Sequence, residues 1–111
     1  KGWKVGQPID NLTKAGKQPS WSTVRARYWK NKANDNLNTG KYNETNLKRM
    51  TKGKPPLDED FGVPMELHHI NGRNGINPHN VNNLEEMWPW EHALKDTDTI
   101  IMVHNFKQIE G

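Results

Sequence analysis

The chain has no cysteine among its 111 residues. A disulfide-stapled fold and a cysteine-based structural zinc site are therefore excluded. Apolar residues are scarce, at 32%, and mean hydropathy is −1.07, so any core is small. No run of about 18 apolar residues is present, which leaves nothing to span a membrane and no expected membrane association. Charge of one sign is not in great excess: 16 Lys and Arg face 13 Asp and Glu, for a net +3 and a pI of about 9.2. That balance alone does not indicate nucleic acid. The chain opens Lys1-Gly2-Trp3 without an initiator Met or a signal-peptide pattern, as expected of a piece cut from something larger.

What is present suits one domain. Five Trp offset the thin apolar content, because each large ring buries on the order of 150–250 Å². There is no internal repeat or low-complexity tract. Residues 1–20 carry Pro8 and Pro19 and read as a linker or extended lead-in, with Trp3, Val5 and Ile9 available to pin it. The domain is expected over residues 21–111. A helix is predicted over 22–34, capped by Ser20 or Ser22, with Trp21, Val24 and Tyr28 on one side. A second is predicted over 44–52, capped by Asn43, closed by Gly53 and carrying Leu47 and Met50 inward. Residues 54–62 read as a loop, 63–70 as a strand, and Asn71-Gly72 as a turn. A short strand over 81–87 follows, then a helix from Pro89 to about residue 95 or 96. Residues 99–106 suit a strand or a packed tail.

Basic residues gather in two places: Arg25, Arg27, Lys30 and Lys32, then Lys48, Arg49, Lys52 and Lys54. They suit a phosphate backbone, although solvated helix faces have the same appearance. The first predicted strand ends on a histidine doublet, His68-His69. Asn83 follows, and His92 opens the last helix with Asp96 at i+4 on the same face. Histidine and aspartate from a strand and a helix suit three ligands around one divalent cation, with positions left for water or a phosphate oxygen. Successive strand side chains alternate faces, so one imidazole of the doublet meets the metal and the other the substrate, provided that the strand bends at the turn. Imidazole titrates near neutrality and is a usable general base for water. Asn83 does not titrate, so its role is geometric: it hydrogen-bonds the loop backbone, or orients the metal shell or the base.

Ordinary readings stand beside these. His79 and His104, taken alone, read as surface or core histidines, and Asn83 alone as a turn former. Trp88 and Trp90 read as core anchors in preference to base-stacking platforms. Glu66 shares a strand face with His68 and is a solvated carboxylate before it is a further ligand.

His68-His69, Asn83-Leu84 and His92 in this order resemble the HNH, or His-Me finger, nucleases. Met65-Glu66-Leu67-His68-His69 and Trp88-Pro89-Trp90-Glu91-His92 narrow the likeness to the LHH branch of the HNH/endonuclease VII superfamily. That branch is common as C-terminal toxin domains of bacterial polymorphic and contact-dependent growth-inhibition systems. Residues 22–30 and 46–50 are also similar to it, so the likeness spans about residues 20–96. The resemblance implies an α+β fold with a ββα-metal core preceded by N-terminal helices. It implies His68 and His92 as metal ligands, Asp96 where some relatives place another histidine, His69 as the general base and Asn83 as the middle residue. Arg25, Arg27, Lys30, Lys48, Arg49 and Arg73 become the expected nucleic-acid contacts. The implied cofactor is one divalent cation, Zn²⁺ or Mg²⁺. The implied activity is cleavage of DNA, with RNA or simple nucleic-acid binding as alternatives. The implied setting is a larger exported bacterial toxin acting in the target-cell cytoplasm and neutralised by a cognate immunity protein, acidic if it meets a basic cleft. The cysteine pairs that brace many HNH proteins are absent, and packing by Trp88 and Trp90 is expected in their place.

Overall fold

A computed structural model describes residues 2–72 and 77–93, with His92 and Ala93 as backbone only. Among these residues the chain is an α+β domain of helices and a two-stranded antiparallel sheet. The order is α1 (Trp21–Asp35), α2 (Glu44–Thr51), β1 (Glu66–His69), β2 (Leu84–Met87) and α3 (Pro89–Ala93). Among the described residues no helix is long and apolar enough to cross a membrane. The predicted tail at 99–106, with His104, lies outside the described residues.

Local chemistry sets the helix ends. Ser20 is extended and its Oγ accepts from the Thr23 amide at 3.1 Å, which starts α1 one residue ahead of the predicted position. Asn43 caps α2 in the same way through the Asn46 amide at 2.8 Å. The C-terminus of α2 closes with Gly53 N–H on the Met50 carbonyl and Lys54 N–H on that of Arg49. This 6→1 and 5→2 pair needs a left-handed residue, and Gly53 supplies it at φ 86°. α3 is entered through Pro89, and the Glu91 carboxylate reaches back to accept from the Trp88 amide at 3.2 Å.

The core lies between α1, α2 and one face of the sheet. Val24, Trp29, Ala33 and Met50 are fully or almost fully buried, joined by Tyr28, Leu67 and Leu84. Burying a side chain such as Val24 or Met50 contributes about 1.5–3 kcal/mol each. The segment before α1 forms no helix or strand, yet it is docked. Ile9 enters the core at 3% exposure, whereas Val5 stays exposed. Asn31 exchanges hydrogen bonds with Gly6 N–H and the Gln7 carbonyl.

Two strand expectations are shortened. β1 begins at Glu66 rather than at residue 63, because Pro64 has no N–H and Asp58 gathers the amides of Asp60, Phe61 and Val63 onto its carboxylate. Only an isolated bridge, Leu57 with Pro64, precedes the strand. The segment 81–87 divides into a 3₁₀ turn, Val81–Asn83, and β2. Asn80 starts that turn by accepting from the Asn82 amide at 2.9 Å, a side-chain alternative to ladder pairing.

Candidate active site

β1 pairs with β2 in the register Glu66–Met87, Leu67–Glu86, His68–Glu85 and His69–Leu84. The alternation of strand side chains therefore divides the histidine doublet. His69 shares a face with Leu67, Leu84 and Glu86, the face that α1 covers: Tyr28 Oη donates to Glu86 at 2.6 Å, and Lys32 Nζ lies 3.0 Å from the same carboxylate oxygen. His68 shares the other face with Glu66, Glu85 and Met87. α3 packs against both strands, and Met87 is buried although it stands outside the main core cluster. The doublet thus presents its two imidazoles to opposite sides, as an alternating strand requires.

Asn83 ties this strand end to the following loop. Its backbone carbonyl accepts from Ile70 N–H at 2.8 Å, and its Oδ1 accepts from Asn71 N–H at 2.9 Å. Its Nδ2 donates to the carbonyls of Gly72 at 3.2 Å and Pro78 at 2.9 Å. Both ends of the 71–80 loop therefore converge on one amide. The geometric role expected of a non-titrating side chain takes the form of backbone hydrogen bonds.

His69 is less open than a solvent-facing base. It is 9% exposed, with Trp21 of α1 tilted over it at a ring-centroid distance of 4.3 Å. Trp21 also stacks on His79, at 5.3 Å and 20°, and carries the Arg25 guanidinium at 5.5 Å from its ring. Trp21, Arg25, Lys54 and Glu66 share the lining of a cavity of about 430 Å³ beside β1. His79 Nδ1 lies 3.0 Å from His69 Nε2. Nothing in the sequence alone singles out His79. The loop closure that Asn83 enforces is what brings it to the strand.

The expected basic contacts part company. Arg25 is exposed beside the Trp21 stack, Lys48 is exposed on α2, and Lys30 is half-buried on α1. Arg49 is half-buried and donates its Nε to the Pro55 carbonyl at 3.1 Å. Arg27 is not a surface contact. It is 6% exposed, donates Nη1 to the carbonyls of Ile9 and Asn11 at 3.1 and 2.6 Å, and lies 5.3 Å from the Trp3 ring. The reason is its place on α1: it faces the docked N-terminal segment, and its charge is spent on carbonyls there. Trp88 and Trp90 also differ from each other. The two rings stack at 5.5 Å and 15°; Trp88 is half-buried, whereas Trp90 is 45% exposed and meets the exposed Phe61 edge-on, so Trp90 is a surface ring and not a core anchor. Arg73, Asp96 and the side chain of His92 lie outside the described residues; the backbone of His92 falls in α3.

For a cation, the described part offers His68 with Glu66 and Glu85 on one sheet face. Among the described residues no group of three or more His, Asp or Glu stands close enough to hold a metal ion. The expected donor set therefore depends on His92 and Asp96. Comparison of the chain with protein-family models, with curated proteins and with solved structures gives no significant match.

Proposed function

We propose that the chain is a metal-dependent endonuclease of the His-Me finger type, cleaving DNA phosphodiester bonds. The single observation that carries this reading is the Asn83 staple, which joins the end of a histidine-bearing strand to a loop immediately before a second strand and a helix. That is the order and the geometric role that the ββα-metal arrangement asks of its His, Asn and final helix. In this reading His69 takes the proton from the attacking water. Asn83 holds the loop so that the imidazole keeps one orientation, and Arg25 with Lys54 draws the phosphate backbone to the cavity beside β1. His68, His92 and Asp96 are the proposed holders of one divalent cation, Zn²⁺ or Mg²⁺. When bound, that ion supplies positive charge to the phosphate and to the departing 3′ oxygen.

The same reading makes the chain a toxin domain, delivered to a target-cell cytoplasm and restrained by an acidic immunity protein. Association of such a partner slows steeply as salt rises; a rate indifferent to salt removes that part. The activity is tested with supercoiled plasmid DNA in Mg²⁺, Mn²⁺, Ni²⁺ or Zn²⁺, beside transfer RNA under the same conditions. Nicked or linear DNA, lost on EDTA or His69→Ala, is the expected result. Degradation of RNA alone replaces the substrate, and an undiminished His69→Ala protein removes the base. A band shift that weakens with salt and yields no new ends reduces the chain to a binding module.

A further inference from the structure

His79 lies outside the His–Asn–His order, yet its ring is set against His69. The facing nitrogens are 3.0 Å apart, and the rings meet at 5.2 Å between centroids and 47°. At that separation one nitrogen must carry a proton and the other a lone pair. The two rings hang from segments that a single side chain joins, because Asn83 holds the Gly72 and Pro78 carbonyls three residues after His69 and one before His79. Trp21 arrives from α1 and contacts both imidazoles, so a third element closes the group. Such an arrangement fixes ring orientation far more tightly than a strand-end histidine has on its own.

We infer that His79 is a positioning residue for His69: its Nδ1 accepts the Nε2 proton of His69 and thereby sets both the orientation and the tautomer of that imidazole, with Trp21 closing the stack. Nε2 of His69 then carries the proton, and Nδ1 is its basic nitrogen. A general base is effective only when the lone pair, and not the proton, is directed to the reacting water. The consequence for cleavage rests on the nuclease reading; the pairing of the two rings does not.

Two substitutions separate the nitrogen from the packing. His79→Phe keeps a flat ring against Trp21 and removes the acceptor, whereas His79→Asn places an amide oxygen close to where Nδ1 stands. Long-range ¹H–¹⁵N correlation spectra of the 111-residue chain at mildly alkaline pH report the His69 tautomer directly. The parent is expected to show the Nε2-protonated form, His79→Phe a mixture, and His79→Asn the parental pattern. In plasmid cleavage, His79→Phe is expected to lose about 10- to 100-fold in kcat with KM little changed, and His79→Asn to recover most of it. A parent protein with His69 protonated at Nδ1 overturns the inference without any variant. So does a His69 tautomer that His79→Phe leaves untouched, or an undiminished kcat in that variant. Failure of the parent to cut any nucleic acid removes the nuclease reading instead, and the tautomer measurement still decides the pairing.

Discussion

Asn83 devotes its whole side chain to backbone: one oxygen on Asn71 N–H, one nitrogen shared by the Gly72 and Pro78 carbonyls. Each such bond contributes about 1 kcal/mol net, and more when its loss strands a partly buried partner. Asn83→Ala is expected to lower stability by about 2 kcal/mol, read as the urea midpoint. Asn83→Asp keeps the acceptor but sets a carboxylate against two carbonyls, so it should fare no better than alanine. An aspartate variant as stable as the parent would show that the two donated bonds carry no weight. Arg27 poses the opposite question, because a guanidinium was expected on the surface and two carbonyls hold it inside. Arg27→Gln should cost about 2–3 kcal/mol, the scale of hydrogen bonds to a charged group. Nucleic-acid affinity of the folded variant should be unchanged. A stable variant with weakened binding would restore Arg27 as a phosphate contact.

At the scale of elements, the junction of α1 and α2 is tightly constrained. Gly53 combines φ 86° with a position where a Cβ would stand 2.8 Å from Ala26 Cβ and 3.2 Å from its Cα. Gly53→Ala therefore meets both backbone strain of about 1–3 kcal/mol and a clash with helix backbone that has no flexible end to yield. Thermal unfolding should show the loss, and pairing it with Ala26→Gly should recover only part of it. Full recovery would place the whole cost in the clash and none in φ. This junction was largely legible beforehand. Asn43, Gly53 and the Leu47-Met50 pair are local signals, read within a few residues. The division of residues 81–87 was less so, since the Asn80 and Asn83 side chains accept backbone amides there, and a propensity reading counts such residues only as turn formers.

For the molecule as a whole, Glu86 joins the sheet to α1 by accepting from Tyr28 Oη and pairing with Lys32. Burial, then the hydrogen bond and charge of Glu86, push the Tyr28 phenol well above its ordinary pKa of 10.0. Burial, then Glu86, push Tyr42 up to about 12. The unfolded chain loses these protons near pH 10 while the folded one keeps them, so unfolding is favoured as pH rises past that point. Stability should therefore be steady in this respect below about pH 10 and fall above it. Tyr28→Phe should lessen the slope and cost about 1.5–3 kcal/mol at neutral pH through the bond to the carboxylate. Chemical denaturation across pH 8–11 checks both, and an unchanged alkaline slope in Tyr28→Phe would contradict the coupling.

Capping residues, the positive-φ glycine, the turn at Asn71-Gly72 and the alternation of His68 with His69 were all determined by sequence, because each acts within about four residues through backbone hydrogen bonds or sterics. Tertiary structure alone decided that Arg27 turns inward while Arg25 stays out, since two positions apart on a helix means nearly opposite sides and only the docked N-terminal segment makes one of them interior. It also decided that His79 meets His69 beneath Trp21. Three separate elements contribute to that contact, and no local pattern records which rings a closed loop will bring within 3.0 Å of each other.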